Sequence, residues 1–500
     1  MASIKRLASQ TAVYGIPTIL GRFLQYALVI VLTRIFSPAE YGTISVFFAY
    51  ASFLMVVLSY GMETTFFRFS EKEEDKDSVF STGMISLLIS SGSFIFLGSL
   101  LSGSIAGWIG YASHPEYVTW FAWILGLDAL VAIPFARLRS QNKAGRFAAY
   151  KMINIFTNIF LTLFFVLLCP YLWKNHPSYQ GILHLIYNPA WGIAYVFIAN
   201  LAASAITLLL VLPVIIRMKW KMHNELWKQM LVYALPLMFA GLAGMVNETF
   251  DRLLLRYLLP MPKELAEAQV GIYSACYKIS ILITLFVQAY RFAAEPFFFA
   301  HAKEKDSRLL YARIMDYFVI FLCAVFLFTM LYLDDVILRL MIGKSFREGR
   351  GVIPVLMFAN IFLGIYYNLS IWYKLTGKTI WGAWLSLMGA VITLSLNFWW
   401  IPLGPEHLIH GYIGSAWATF ICYGSMMVVA YLLGQKYYPI PYRIWKATGY
   451  ILFALVIYLI SENLPILHPA SRILFHTGLL IVFLLTAYFF EKPGRAKTSH

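Results

Sequence analysis

The chain has 500 residues, of which 60% are hydrophobic and only 13% are charged. Soluble domains carry about 25% charged residues, so this composition excludes a string of soluble domains and indicates a polytopic membrane protein. The formal net charge of +15 does not indicate nucleic-acid binding, because the cations are distributed according to membrane topology.

Apolar segments long enough to cross a bilayer recur along the whole chain. A helix needs about 20 apolar residues to span the hydrocarbon. The first segment follows Lys5 and Arg6, but it is too long for a signal peptide and lacks a small-residue cleavage site, so we expect it to be retained. The sequence therefore predicts an all-α, multi-pass membrane protein of fourteen transmembrane helices. The predicted spans are residues 10–33, 42–66, 79–101, 117–137, 149–171, 191–216, 231–256, 270–292, 312–333, 350–373, 379–401, 411–433, 444–461 and 470–490.

Lysine and arginine are concentrated in alternate loops. If the N-terminus is cytoplasmic, 26 of the 39 cations fall in cytoplasmic loops and termini, eight in the opposite loops and five within spans. Because short cytoplasmic loops accumulate Lys and Arg, both termini are predicted to be cytoplasmic. All the loops are short, which leaves no room for a soluble catalytic domain.

A weak internal repeat relates the two halves of the chain. Both halves begin with Tyr-x-x-Pro, at residues 14–17 and 233–236, and a glycine, Gly42 or Gly271, begins the next helix. The two prolines predict an interruption of the first helix in each half. The offset is about six spans, and an even number keeps the two halves in the same orientation. The predicted divisions are residues 1–216 for an N-terminal six-helix lobe, 217–230 for a cytoplasmic linker, 231–433 for a C-terminal six-helix lobe and 434–500 for helices 13 and 14 with a cytoplasmic tail.

Four stretches carry a resemblance to a known family. They are "LTRIFSPAEYG" at 32–42, "YGMETTFFRF" at 60–69, "YALPLM" at 233–238 and "GIYSACYKI" at 271–279. In this order, within a 6+6+2 arrangement of spans, they resemble the Wzx-type flippases of O-antigen, lipopolysaccharide and exopolysaccharide biosynthesis. Those proteins belong to the MOP (multidrug/oligosaccharidyl-lipid/polysaccharide) exporter superfamily, together with MATE multidrug exporters and MurJ-type lipid II flippases.

The resemblance implies a fold, a substrate and a location. The fold is MATE-like, with two six-helix lobes around a central cavity that opens to one side at a time, plus two C-terminal helices. The substrate is undecaprenyl-pyrophosphate-linked oligosaccharide, moved from the cytoplasmic to the periplasmic leaflet of a bacterial inner membrane. The expected partners are this lipid, the membrane lipids, a polysaccharide polymerase and a chain-length regulator, with no nucleic acid.

The sequence indicates a transporter and not an enzyme. It has no metal-ligand spacing and no glycine-rich loop of the kind that cradles nucleotide phosphates, so no catalytic residue, metal or cofactor is predicted. Coupling to H⁺ or Na⁺ stays open.

Cations within the spans are the candidate substrate-binding residues, because a sugar pyrophosphate cannot cross hydrocarbon and needs a wet, cationic path. These are Arg22, Arg252, Lys278 and Arg291. Arg22 is the foremost, because no acid lies within a turn of it and its planar guanidinium suits phosphate oxygens. A pair that merely fixes helix 7 to helix 8 through Lys278 is the alternative for the helix 7 charges. Arg256 is expected to extend to the outer interface.

Two acidic residues on the first lobe are candidates for ion coupling or gating. Asp128 lies near the middle of helix 4, where a carboxylate can bind H⁺ or Na⁺, or can pair with Arg22 or polar neighbours. Glu63 lies near the inner end of helix 2, where it can form a gate with Arg68 or an ordinary interfacial pair.

Two more acidic candidates, Glu248 and Asp251, precede Arg252 on helix 7. Helical spacing places both near the stripe of Arg252 and Arg256. They either keep a cationic path from holding an anion too tightly or simply neutralise the arginines, and the spacing alone does not separate these two roles.

Three competing functions have different sequence requirements. A MATE-type drug exporter would usually stop at twelve spans and favour an acidic cavity, and a glycan polymerase or ligase would need a large external loop. A lipid II flippase shares the superfamily and the number of spans, and no residue excludes it. The cation-bearing spans favour the oligosaccharide-lipid flippase.

Overall fold

The computed structural model describes residues 20–492 apart from Arg22, Lys303, Lys305, residues 465–467 and the side chains at 292, 293, 296 and 300. Regular structure in these residues is helical throughout, which confirms the predicted fold class. The α-helices are α1 Phe23–Ile35, α2 Pro38–Ser59, α3 Met62–Lys72, α4 Lys76–Leu100, α5 Ser102–Trp108, α6 Pro115–Ser140, α7 Ala144–Leu163, α8 Cys169–Asn175, α9 Gln180–Leu183, α10 Ala194–Ile216, α11 Asn224–Leu258, α12 Lys263–His301, α13 Ser307–Leu331, α14 Leu338–Met341, α15 Val352–Leu369, α16 Ile371–Leu375, α17 Ile380–Trp400, α18 Gly411–Tyr437, α19 Ile444–Asn463 and α20 Pro469–Glu491.

Thirteen helical segments of the described chain are long and apolar enough to cross a membrane. They correspond to the predicted spans from the second to the fourteenth. The first predicted span, residues 10–33, lies mostly outside the described residues, and its described part is the shorter apolar helix α1. The chain is therefore a multi-pass membrane protein.

The second span is broken, whereas the sequence predicts one continuous helix over 42–66. Tyr60 and Gly61 adopt positive φ angles of 30° and 70° and separate α2 from α3. A Cβ at Gly61 would lie 3.0 Å from the carbonyl oxygen of Ala234, so glycine permits both the backbone conformation and the close approach. The interruption predicted at Pro236 is absent, because α11 continues through that residue.

A capping box explains why the string "SPAEYG" begins a helix. The Ser37 hydroxyl accepts a hydrogen bond from the Glu40 backbone N–H, and the Glu40 carboxylate accepts one from the Ser37 backbone N–H at 2.8 Å. Pro38 occupies the first turn, where its missing N–H has no partner to lose. Because α2 begins at Pro38, Gly42 and Thr43 lie one turn further along this helix.

The chain divides by contacts into unit 1, Met1–Gly271, and unit 2, Ile272–His500. Unit 1 holds α1–α11 and the first turns of α12, and unit 2 holds the remaining helices. The lobe boundaries predicted from the sequence stay a prediction.

Within unit 2, ion pairs attach α19 and α20 to α13 near one end. Asp316 of α13 is buried and lies 3.3 Å from Lys446 Nζ. Lys446 also contacts Glu491 of α20 at 2.6 Å, and Tyr450 donates a hydrogen bond to the same carboxylate. One lysine therefore joins three helices.

A second polar cluster attaches α19 and α20 near the other end of α13. Arg350 contacts Asp334 through two hydrogen bonds of 2.7 and 2.6 Å and also contacts Glu462 of α19. Arg472 of α20 pairs with Asp335. Because both ends are held, the two C-terminal helices are an integral part of unit 2.

Replacing Lys446 with methionine is expected to destabilise the protein, because it leaves the buried Asp316 without its nearest cation. We expect a loss of about 1–3 kcal/mol, as for a buried group that loses a charged partner. Arg443→Gln is the matched control, because the Arg443 guanidinium is mostly exposed and 3.7 Å from Asp316. Thermal unfolding in detergent should rank Lys446→Met clearly below the control, and equal midpoints would contradict this account of the attachment.

Candidate functional site

The α11 segment that carries four charges is neutralised by its own carboxylate and by a neighbouring helix. Arg252 and Asp251 are buried side by side, with 2.9 Å between Arg252 Nη1 and Asp251 Oδ1. The same Nη1 donates to the backbone carbonyl of Glu248. The Glu248 side chain is exposed, so Asp251 and not Glu248 supplies the balancing charge.

Arg256, one turn further, pairs with Glu267 near the start of α12. The distance from Arg256 Nε to Glu267 Oε1 is 3.1 Å, and both side chains are almost fully buried. Glu267 also accepts a hydrogen bond of 3.1 Å from the Thr43 hydroxyl of α2. Lys263 lies 3.8 Å from the same carboxylate. The expectation that Arg256 extends to the interface is wrong, because Glu267 holds it inside unit 1.

Tyr111, in the segment between α5 and α6, completes this cluster. Its ring lies under both cations, 4.4 Å from the Arg256 guanidinium carbon and 4.2 Å from Lys263 Nζ. Burial raises the pKa of the Tyr111 hydroxyl above its usual range, so the phenol stays protonated. The buried Glu267 carboxylate thus pairs with both cations that lie on the Tyr111 ring. Through these contacts and the Thr43 hydroxyl it links α2, α11 and α12.

Replacing Glu267 with alanine is expected to destabilise unit 1 strongly. Removing one partner of a buried ion pair costs about 3–5 kcal/mol, because the other charge is left uncompensated. Glu264→Ala is the matched control on the same first turns of α12, because Glu264 is exposed. The yield of folded protein and its unfolding midpoint report the difference. A midpoint as high for Glu267→Ala as for the control would mean that Arg256 needs no buried counter-ion.

The same region contains a close crossing of α2 and α12 at two glycines. A Cβ at Gly42 would lie 1.8 Å from the carbonyl oxygen of Glu267, and a Cβ at Gly271 would lie 2.0 Å from that of Pro38. Each glycine therefore faces the carbonyl four residues before the other. This reciprocity is what a two-fold relation between the repeated segments would produce, and it explains why both segments have glycine at this position.

The cation cluster in unit 2 differs because, among the residues that the structure describes, two cations share one carboxylate. Glu295 Oε1 lies 2.6 Å from Lys374 Nζ and 3.4 Å from Arg291 Nε. One carboxylate thus faces two cations, and all three side chains are partly exposed. The Arg291 guanidinium also stacks on the Tyr367 ring, 4.1 Å from its centroid. The cluster is therefore cationic and accessible, and it offers an aromatic face.

The polar residues around Tyr367 mostly belong to the core of unit 2. Tyr366, Trp372 and Asn360 are buried, and the Asn360 amide donates to the Ser280 carbonyl. Asn368 donates to the Tyr290 hydroxyl. Tyr367 itself is partly exposed.

The remaining predicted residues have separate positions. Asp128 is half-buried on α6 beside the Ser204 hydroxyl of α10. Lys278 is half-buried on α12 in unit 2. Arg22, the foremost candidate, lies outside the described residues, so its role stays a prediction.

The predicted pair of Glu63 and Arg68 is not formed. Glu63 instead contacts Arg139 at the end of α6, at 3.0 Å. Arg68 stacks on Tyr233, 4.2 Å from the ring centroid. The reason is geometric, because α3 presents Glu63 to α6 and Arg68 to α11.

Sequence reasoning missed Glu267 and Lys374. Both lie at the ends of spans, where charges are ordinary, and neither raises a question by itself. For Glu267, helical spacing did indicate a shared face with Lys263 and Gly271, because it lies four residues after the first and four before the second.

The fold matches solved structures of membrane transporters. A lipid II flippase MurJ in an inward closed conformation is 15% identical, with a TM-score of 0.71 over 95% of this chain and 99% of that chain. A multidrug resistance MATE family transporter of the MOP superfamily, in an inward-facing conformation, is 15% identical. Its TM-score is 0.63, and the match covers 86% of this chain and 96% of that chain. A MOP superfamily transporter from Pyrococcus furiosus is 16% identical, with a TM-score of 0.57, and the match covers 85% of this chain and 95% of that chain. The chain has the fold of the MOP superfamily transporters.

The family model described as polysaccharide biosynthesis protein matches residues 7–302, and the chain belongs to that family. This confirms the resemblance at the level of the polysaccharide-biosynthesis family and the MOP fold, and the Wzx type stays a prediction. No curated protein sequence matches the chain.

Proposed function

We propose that this protein is a flippase for a polyprenyl-pyrophosphate-linked oligosaccharide. It takes the lipid, with undecaprenyl as the expected tail, from the cytoplasmic leaflet and delivers it to the periplasmic leaflet by alternating access. The chain is not an enzyme in this account, because it moves its substrate without changing a covalent bond. The family, which is one of polysaccharide biosynthesis, and the transporter fold support the proposal.

The observation that carries the proposal is the unbalanced cation cluster of Arg291, Lys374 and Glu295. Charges within spans are usually paired, and the buried arginines of α11 follow that rule with Asp251 and Glu267. Arg291 and Lys374 lie at the ends of their spans, where an anionic head group can reach them. In unit 2 two cations share one carboxylate and remain partly exposed. A pyrophosphate would supply the missing negative charge through charge-assisted hydrogen bonds. Tyr367 would give the adjoining sugar an apolar face.

The membrane potential gives this transport its direction. With both termini cytoplasmic, as the cation distribution predicts, an anionic head group leaves a negative compartment. That movement is favourable by about 2.3 kcal/mol per charge for each 100 mV. Export therefore requires no nucleotide, and ion coupling would add to this driving force.

Complementation in cells tests the proposal. The gene should restore surface glycan to a bacterium that lacks its oligosaccharide-lipid flippase, when the glycosyltransferases for the matching repeat unit are supplied with it. The polymerase and chain-length regulator of that strain would then act on the delivered lipid. A membrane-inserted protein that restores no glycan with any matched repeat unit would refute the oligosaccharide assignment.

A lipid II flippase is the second candidate, because the fold match to MurJ covers nearly the whole of both chains. The shared pyrophosphate makes the cation cluster equally suitable for either lipid. Rescue of cells depleted of their own lipid II flippase would favour this candidate. We expect no such rescue, because the family is one of polysaccharide biosynthesis.

We further propose that ion coupling uses Asp128. It is a half-buried carboxylate with a neighbouring hydroxyl, from Ser204, and membrane carboxylates of this kind are frequent proton or sodium sites. Asp128→Asn should then abolish the dependence of transport on a proton or sodium gradient and leave substrate binding intact. A gradient dependence unchanged in Asp128→Asn would exclude this residue as the coupling site.

A further inference from the structure

The connection between α8 and α10 is apolar on two opposite faces. Its backbone follows a helical course from α9 through the next turn, with Tyr187 N–H bonded to the Leu183 carbonyl at 2.7 Å. Leu183 and Tyr187, four residues apart, are buried against unit 1. Ile182, Leu185 and Ile186, spaced by three and four residues, are 67%, 84% and 51% exposed. Helical spacing places these three on one outward face.

The exposed face is held in place by its buried side. Tyr187 stacks on Tyr195 of α10, with 5.3 Å between ring centroids. The Tyr195 hydroxyl accepts a hydrogen bond of 2.6 Å from the Asn188 backbone N–H. On the other side, the Gln180 amide donates to the Trp173 carbonyl at 2.9 Å. The outward aliphatic side chains are therefore presented by a packed segment.

This segment contains no charged residue. From Asn175 to Ile216 the chain has no Asp, Glu, Lys or Arg, whereas the connection at 68–77 has eight charged residues in ten. A helix that is apolar all round is buried, and in this segment the protein covers only one side. The lack of charge also argues against a docking partner that is recognised by ion pairs.

We propose that residues 179–191 lie in the membrane interface, in the leaflet where the α7–α8 span ends. Ile182, Leu185 and Ile186 insert into the boundary between head groups and acyl chains. Tyr179 and Trp191, both about half exposed, take the interfacial depth at which aromatic side chains are enriched. The occupant of the face is lipid, because the segment closely follows a spanning helix and its outward side chains are aliphatic and uncharged.

This inference does not depend on the transported substrate. It assigns unit 1 a shallow anchor, held by hydrophobic insertion and not by attraction to anionic lipid. Its depth should therefore be the same in neutral and anionic vesicles and should not change with salt.

Spin labels measure this depth directly. The full-length protein, carrying Leu185→Cys or Ile182→Cys, is labelled with a nitroxide and reconstituted into phosphatidylcholine vesicles. The four native cysteines are buried, so the wild type gives the labelling background. Phe160→Cys, an exposed position on α7, is the lipid reference, and Glu406→Cys, an exposed position in the connection from α17 to α18, is the aqueous reference.

We expect labels at 182 and 185 to collide more with oxygen than with a water-soluble nickel chelate, as at 160 and unlike 406. A nickel accessibility equal to that at 406 would overturn the proposal, because the face would then lie in water. Low accessibility to both reagents would also overturn it, because the face would then be covered by protein, either a second copy or another chain. Agreement between the two labelled positions guards against a local distortion by either substitution.

Discussion

Gly271→Ala is expected to abolish transport by forcing apart the crossing of α2 and α12. The new Cβ would lie 2.0 Å from the Pro38 carbonyl oxygen. Neither atom belongs to a flexible side chain, so only a shift of a helix relieves the contact. Overpacking typically costs about 1–3 kcal/mol, and here the shift also separates the Thr43 hydroxyl from Glu267. Gly42→Ala should behave in the same way, because the contact is reciprocal.

Gly92→Ala is the matched control for this substitution. Gly92 is also in the middle of a spanning helix, α4, but a Cβ there would meet nothing within 4 Å. Alanine is the better helix former by about 1 kcal/mol, so this variant should be at least as stable as the wild type. Unfolding midpoints and transport rates of the three variants separate a steric effect from a general intolerance of alanine. Wild-type transport by Gly271→Ala would show that the crossing is not needed as the structure has it.

Arg291→Ala is expected to weaken binding of the lipid pyrophosphate by roughly ten- to hundredfold. A hydrogen bond to a charged group contributes about 1.5–3 kcal/mol, and 1.4 kcal/mol corresponds to tenfold in Kd. Lys374→Ala should have a comparable effect, and the double variant should bind too weakly to transport. Equilibrium binding of a polyprenyl pyrophosphate in detergent measures these losses. Arg308→Ala is the control, because Arg308 makes a similar stack on Tyr438 but is no part of the cluster.

Glu295→Gln separates a substrate site from a structural ion pair. If the cluster binds an anion, removing the carboxylate adds a positive charge to the site, so binding should tighten and release should slow. If the cluster only stabilises unit 2, Glu295→Gln should lower the unfolding midpoint as much as Arg291→Ala does. Unchanged affinity with a lower midpoint would assign Glu295, Arg291 and Lys374 to architecture.

The helices were predictable because each depends on a local property, the length of an apolar run. The break at Gly61 was not, because it is specified by the approach of the Ala234 carbonyl from a distant part of the chain. The continuous helix at Pro236 was not predictable either. A proline removes one backbone hydrogen bond, but the sequence around it does not decide whether the helix continues.

The charged residues were easy to find in the sequence, but their partners were not. Arg252 and Asp251 are adjacent, so their pairing is local. Glu295 and Lys374 are 79 residues apart, and only the fold brings them together. In the sequence, Arg291 was therefore only one of four candidate cations, behind Arg22, and the structure distinguishes it by its two-cation, one-carboxylate surroundings and partial exposure.

Transport by purified protein in vesicles tests the central claim most directly. The full-length protein is reconstituted with a polyprenyl-pyrophosphate-linked oligosaccharide, and a membrane-impermeant lectin reports how much of the glycan reaches the outer surface. The account predicts transfer that depends on the protein, is accelerated by a membrane potential positive on the receiving side, and is lost in the Arg291→Ala, Lys374→Ala double variant. Folded wild-type protein that moves the lipid no faster than empty vesicles, or a double variant that moves it at the wild-type rate, would contradict it.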